Sequence, residues 1–226
     1  MTTPTQRSPL FAELERLGPT WQTVAGQRFA VHLAHGAQDE SVVRQLAICD
    51  ISGIPSWTVK GAGAERWLGK HDVHVPSQIN STFTEGCRVI RTGNDEFLVE
   101  QIPNSQSLTR VADWVIPAGK QTDDVMIYQR QDAVLMLIGV QARDVLSQTC
   151  GINWANVDDE TLVMTRVAGV NCGIMHLPRH DCPRFQLRFD GTYAIYLWKQ
   201  LVAICSELGG QVAGVELVCP EWFRDR

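Results

Sequence analysis

Four side chains able to ligate a metal fall close together at His176, His180, Asp181 and Cys182. Zinc sites draw on these residue types, and a helical site would set two histidines four apart on one face. Pro178 stands between the histidines, and a proline inside a helix removes a hydrogen bond and clashes with the preceding turn. A polar loop holding no metal is therefore expected. His71 and His74 form a second pair, but no third ligand stands near them in sequence, so a surface loop is expected there too.

A phosphate-cradling turn needs a glycine-rich stretch that opens a helix and ends in Lys-Ser/Thr. Gly61-Ala62-Gly63-Ala64 has two glycines after a strand-like run but lacks the lysine, so it reads as a packing turn. The carboxylates Asp123-Asp124 and Asp158-Asp159-Glu160 stand in polar stretches and read as solvated capping turns. Seven cysteines (49, 87, 150, 172, 182, 205 and 219) make an odd count with no Cys-x-x-Cys pair, unlike a disulfide framework or a zinc ribbon. Reduced thiols serving as small hydrophobes are expected. Trp67 and Trp198 suit helix core faces. Trp222 and Phe223, in a tail ending Arg224-Asp225-Arg226, are candidates for a partner interface, with docking onto their own domain as the equal alternative.

The chain that must position these residues has 226 of them, enough for one large domain or two small ones. Apolar residues at 44% and charged residues at 20% predict a packed core. With 20 Lys+Arg against 25 Asp+Glu and no basic block, the sequence lacks the footprint that nucleic-acid binding requires. Its longest apolar runs, such as residues 133–140, fall far short of the roughly 18–20 a membrane span needs. The first ten residues contain no apolar stretch of secretory type, so a cytoplasmic location is expected.

Residues 46–61 read as two short strands ending at Gly61, followed by a helical run to Leu68. Residues 126–139 lead likewise through Gly139 into a helix at 141–148. Gly61-x-x-Ala64-x-x-x-Leu68 aligns with Gly139-x-x-Ala142-x-x-x-Leu146: a glycine for a tight strand-to-helix turn, then two residues on one helix face. Strand-like pairs follow each helix. Residues 193–208 form a further helix, with Ile195, Trp198, Leu201, Val202 and Cys205 as its apolar face and Gly209-Gly210 as its stop. The order predicts an α+β fold of two similar tandem subdomains, each an antiparallel sheet backed by helices. The expected division is 1–45 for an N-terminal arm and first helix, 46–120 for the first repeat and 121–226 for the second with its C-terminal helix and tail. The halves should join near 101–121, with Gly61 and Gly139 equivalent.

Asp50-Ile-Ser52, then Val59-Lys-Gly61 with Ala64 and Trp67-Leu68, resembles the signature of glycine cleavage T proteins and related folate-binding domains. Arg91-Thr-Gly-Asn-Asp-Glu-Phe-Leu-Val99 is similar to the Arg-x-Gly-x-Asp-x-Phe-Leu-Val strand pair of that superfamily, and residues 135–146 to its second strand-to-helix turn. Arg166-Val-Ala-Gly-Val170, Phe185-Gln-Leu and Tyr193-Ala-Ile-Tyr-Leu-Trp198 look most like the small gamma subunits of heterotetrameric sarcosine oxidases, whose length the chain also approaches. The sequence departs from T proteins at two positions that contact folate in that family. Glu85-Gly86 stands in place of an acidic pair, and Val170-Asn-Cys-Gly173 in place of Tyr-Thr-Gly-Glu.

The resemblance implies a non-catalytic accessory subunit of a flavin- and folate-dependent oxidative N-demethylating complex acting on sarcosine or a related N-methyl amine. FAD, FMN, NAD and tetrahydrofolate would reside on partner subunits, larger flavoproteins of an amine-oxidising complex, and no cofactor would be bound by this chain alone. Glu85 is the one folate-binding candidate. The alternatives are a stand-alone tetrahydrofolate-dependent aminomethyl or methyl transferase and a non-catalytic folate-binding protein.

Overall fold

The computed structural model describes residues 7–24, 26–103, 124–177 and 182–223. Most of the expected connection at 101–121, together with His180 and Asp181, lies outside them. The described residues form two compact units, one within Met1–Gly53 and Asp132–Arg226, the other within Ile54–Gln131.

In chain order the first unit opens with α1 (Phe11–Glu15), the hairpin β1 (Pro19–Val24) and β2 (Gln27–Leu33), α2 (Glu40–Gln45) and β3 (Ala47–Asp50). The second unit comprises β4 (Ser56–Lys60), α3 (Ala64–Lys70), β5 (Thr82–Glu85), β6 (Cys87–Gly93), β7 (Glu96–Glu100) and β8 (Met126–Gln129). The chain then re-enters the first unit as β9 (Asp132–Ile138), α4 (Ala142–Thr149), β10 (Leu162–Val167), β11 (Val170–His176) and β12 (Arg184–Asp190). It continues there with α5 (Ala194–Glu207), β13 (Gln211–Val212) and α6 (Val215–Val218).

The first unit's main sheet runs β10-β11-β12-β9-β3-β13 and the second unit's runs β5-β6-β7-β4-β8. All pairs are antiparallel except β13 with β3. The fold is thus the α+β arrangement expected, but the units are not the contiguous stretches 46–120 and 121–226. β3, the opening strand of the first repeat, pairs with β9 of the second, and β8, the opening strand of the second, pairs with β4 of the first. The repeats exchange their first strands. A four-residue strand carries the same pattern whichever sheet it joins, so its partner is set by tertiary contacts that local patterning does not encode.

Equivalence of the two glycine turns is direct. Gly61 has φ 120° and Gly139 φ 118°, values open to glycine and strained for other residues. The N–H of Ala64 donates to the Gly61 carbonyl at 2.8 Å, and that of Ala142 to the Gly139 carbonyl at 3.0 Å. Each helix then lays its Ala and Leu onto a sheet. Ala64, Trp67 and Leu68 pack with Val59, Val89, Phe97 and Val99. Ala142, Val145 and Leu146 pack with Leu135, Leu137, Phe185 and Leu187. Burial of a leucine in such a layer stabilises by about 1.5–3 kcal/mol.

Helix α5 joins the second of these layers through Ala194, Leu197, Trp198, Leu201 and Cys205. Ile195 is 46% exposed, so the buried stripe is rotated from the expected face. Spacings of three and four fit either stripe, because i, i+3 and i+7 positions on neighbouring tracks overlap. The helix ends as expected: Gly209 adopts φ 79°, its N–H meets Ser206 at 3.0 Å and the Gly210 N–H meets Cys205 at 2.7 Å, the pattern of a Schellman cap.

Gly61→Ala should destabilise the protein by more than about 2 kcal/mol, since the backbone strain alone is about 1–3 kcal/mol and an added Cβ would lie 1.9 Å from the Asp124 carbonyl oxygen. Gly69→Ala, in α3 with open space around it, should instead stabilise by roughly 0.5–1 kcal/mol. Urea unfolding of the two variants checks the contrast.

Candidate functional site

Glu85 closes β5, an edge strand, and Gly86 at φ 75° turns the chain tightly into β6. Its carboxylate faces the His74 Nδ1 at 3.5 Å, and both side chains are more than 70% exposed. Phe83, two residues earlier on the same strand face, sits 5.6 Å from the His74 ring. An ion pair this open is screened by water and contributes little. Glu85 can accept hydrogen bonds from a ligand, but these neighbours do not shield it from water.

The second folate-contacting position of the resemblance falls on β11. There Cys172 is buried and desolvation pushes its thiol up to about 12, so it stays protonated at neutral pH. Gly173 is closely covered: an added Cβ would lie 2.9 Å from Leu162 Cδ1. This position supplies core packing and no carboxylate. Burial likewise raises Cys205 to about 12 and Cys87 to about 11, as expected of thiols used as small hydrophobes.

The signature residues prove to be staples. Asp50 is 6% exposed; its Oδ1 accepts from the Ser52 N–H at 3.0 Å and from the Ser52 hydroxyl, and its Oδ2 accepts from the Ser8 hydroxyl. Ser52 Oγ accepts from the Val134 N–H at 2.9 Å, tying the loop after β3 to β9. Desolvation raises the Asp50 pKa against the opposing pull of these hydrogen bonds. In the second unit Arg91 donates through Nε to Pro76 O at 2.8 Å and through an Nη to Asn94 O at 2.9 Å. It also pairs with Glu65 on α3 and stacks 4.8 Å over Phe97. One guanidinium thereby holds a helix, a loop and a hairpin turn together.

His176 ends β11 with its Nδ1 2.6 Å from Asp159 and its ring stacked on Phe185 at 4.7 Å. The Thr161 N–H meets the Asp158 carbonyl at 3.4 Å, and Asp158, Asp159 and Glu160 are exposed, so these acidic residues do lie in a solvated turn. His71 lies against Trp67 at 4.2 Å, apart from the His74–Glu85 contact. Trp222 is 5% exposed and meets Phe29 edge-on at 5.8 Å, with Phe223 half-buried beside it. Its indole packs within this chain's own unit. An open groove of about 360 Å³ in the first unit is lined by His35, Gln38, Ser206 and Gln211 among others, with no carboxylate in its wall. Neither Glu85 nor position 172 belongs to it, and periodicity could not have revealed it because its walls join the loop after β2 to Ser206 of α5 and to Gln211 and Val212 of β13.

No protein-family model matches the sequence, and no curated protein matches it. Solved structures do. Glycine cleavage system aminomethyltransferase T from Bartonella henselae superposes with a TM-score of 0.68 at 18% identity, over 92% of this chain and 59% of that one. The fold is that of glycine cleavage T proteins. A chain of heterotetrameric sarcosine oxidase from Corynebacterium sp. U-96, solved with pyrrole 2-carboxylate, superposes with a TM-score of 0.62 at 15% identity, over 91% of this chain and 97% of that one. This chain thus spans 59% of the aminomethyltransferase.

Within this T-protein fold Asp50 is a titrating group whose effect on stability has a definite sign. A carboxyl with a raised folded-state pKa binds its proton more tightly when folded, so its contribution is fully present below about pH 3.8 and is lost as pH rises through the folded value. The stability of the natural protein relative to Asp50→Asn should therefore fall between pH 4.5 and pH 8. Urea titrations at the two pH values check the difference; a constant gap would show that Asp50 ionises no differently in the two states.

Proposed function

We propose that the chain is an accessory, gamma-like subunit of a cytoplasmic, flavin- and folate-dependent oxidative N-demethylating complex acting on sarcosine or a related N-methyl amine. FAD, FMN, NAD and tetrahydrofolate belong to larger partner flavoproteins in this reading. The observation that carries it is the likeness over 97% of a sarcosine oxidase chain at similar coverage of this one. The two family positions for folate support it. One is an open carboxylate at Glu85 and the other a packed Cys172-Gly173. Among the described residues this pair does not fit a charge-assisted pterin site. The higher TM-score to aminomethyltransferase T favours the second reading, a stand-alone folate-dependent transferase.

Calorimetric titration with tetrahydrofolate separates the two. Loss of one hydrogen bond to a charged group, about 1.5–3 kcal/mol, weakens binding by roughly 10- to 150-fold. The accessory reading therefore expects a dissociation constant no better than the high-micromolar range as an order of magnitude. It also expects no change on Glu85→Ala and no turnover of N-methyl amines by the isolated chain. A low-micromolar constant that Glu85→Ala raises sharply would establish the transferase instead. Native mass spectrometry of the chain with co-expressed flavoprotein subunits tests assembly directly.

A further inference from the structure

Four side chains form a continuous stack across α1 and the β1–β2 hairpin. The rings of Phe11 and Trp21 lie 5.1 Å apart at 17°. The Arg28 guanidinium sits 4.9 Å from the Trp21 ring and 5.9 Å from that of Phe11, while Arg7 sits 4.8 Å over Phe11. Trp21 Nε1 donates to Glu15 at 2.7 Å, which holds the indole in place. Cation–π contact engages the charge of a guanidinium but satisfies none of its five N–H donors.

Those donors distinguish Arg7 and Arg28 from the ion-paired arginines. Arg66 and Arg143, exposed on α3 and α4, also lack a carboxylate partner among the described residues, but Arg7 and Arg28 meet around one ring pair. Arg16, Arg88, Arg91, Arg184 and Arg188 each meet a carboxylate. Among the described residues neither Arg7 nor Arg28 makes a hydrogen bond or an ion pair. This holds in a chain whose acids outnumber its bases, 25 to 20. Two like charges are thus held around one aromatic pair with their planar forks unused. Arg7 is exposed, Phe11, Trp21 and Arg28 are half-buried, and β1 presents Thr20, Gln22 and Thr23 to solvent beside them. Stacked arginine and tryptophan on an open strand surface is the composition of an interface hot spot. A guanidinium fork matches a carboxylate in two parallel hydrogen bonds.

We infer that the Arg7–Phe11–Trp21–Arg28 stack is a docking surface for an acidic segment of a partner protein, whose carboxylates fork onto the two guanidinia while its aliphatic stems lie on the ring pair. This deepens the subunit reading and rests on it for the existence of a partner. An open hairpin face favours an extended acidic chain over a free small anion, which would need walls to desolvate it.

Acetylated hexaglutamate is the probe, titrated calorimetrically into the whole chain at low ionic strength, with hexaglutamine, free glutamate and phosphatidylglycerol vesicles as comparisons. Hexaglutamate should bind and hexaglutamine should not. Arg28→Gln should weaken binding by about tenfold, the size of one lost charge-assisted contact, and Arg28→Lys should recover only part because an ammonium lacks the fork. Added salt should weaken binding further. Three results would each overturn the proposal: no hexaglutamate binding, unchanged affinity in an Arg7→Gln, Arg28→Gln double variant with an unchanged unfolding midpoint, or equal binding of free glutamate. Preference for vesicles would replace the acidic segment with a membrane surface. If the double variant still assembles with flavoprotein subunits at full affinity, the subunit reading stands and the patch falls.

Discussion

The close approach of a backbone carbonyl to the α-carbon of a turn glycine is the contact on which the rest of this structure depends. At Gly61 the carbonyl is that of Asp124, and at Gly139 it is that of Gln45. In both cases the donor of the carbonyl lies just ahead of an exchanged strand, β8 in one instance and β3 in the other. The turn at Gly139 is further tied to this segment by the Val140 N–H to Arg44 O at 2.9 Å and the Gln141 N–H to Gln45 O at 3.2 Å. Any side chain at the glycine would push the exchanged strand away from its sheet. Strand order, sheet register and the direction in which α3 and α4 leave their sheets therefore rest on two positions without a Cβ.

Charged pairs accompany the apolar layers. In the second unit Arg88 and Glu100 are register partners on β6 and β7, joined at 2.9 Å with Glu100 fully buried. They alternate along their strands with Val89 and Val99, which face α3. In the first unit Arg188 on β12 meets Asp132 on β9 at 2.8 Å, both nearly buried. Removing one member of such a pair strands the other, at about 3–5 kcal/mol. These arginines and carboxylates are bound to structural duty, whereas Arg7 and Arg28 meet aromatic rings in place of carboxylates.

Periodicity and glycine placement made most strands and helices legible. Gly61 with Ala64 and Leu68, and Gly139 with Ala142 and Leu146, announce strand, turn and helix because each element's chemistry is local. The exchange of β3 and β8 was not legible, since a buried four-residue strand reads the same beside either neighbour. Nor was the β1–β2 hairpin, where Gln22, Thr23, Gln27 and Arg28 interrupt the alternation a half-buried strand shows. Of the candidate site residues, Glu85 lies on an open edge and Trp222 in the core. Exposure decides both, and exposure is a property of the assembled fold.

The same distinction explains why the fold could be recognised while the function needs separate argument. Asp50, Ser52 and Arg91, which carry the resemblance, touch loop backbone, strand ends and a helix. A signature made of staples specifies the scaffold, and one scaffold hosts many activities. Positions that the fold leaves unconstrained carry the functional difference instead. At residue 85 the edge strand tolerates any polar side chain, so glutamate there is not required by packing. At residue 173, where the resemblance would put the glutamate, an added Cβ would lie 2.9 Å from Leu162 Cδ1 and 3.2 Å from Met164 Sδ, so a larger side chain there would have to displace both. A chain with glycine at that place carries core packing where the resemblance would put a carboxylate, and this difference lies outside the staples that specify the scaffold.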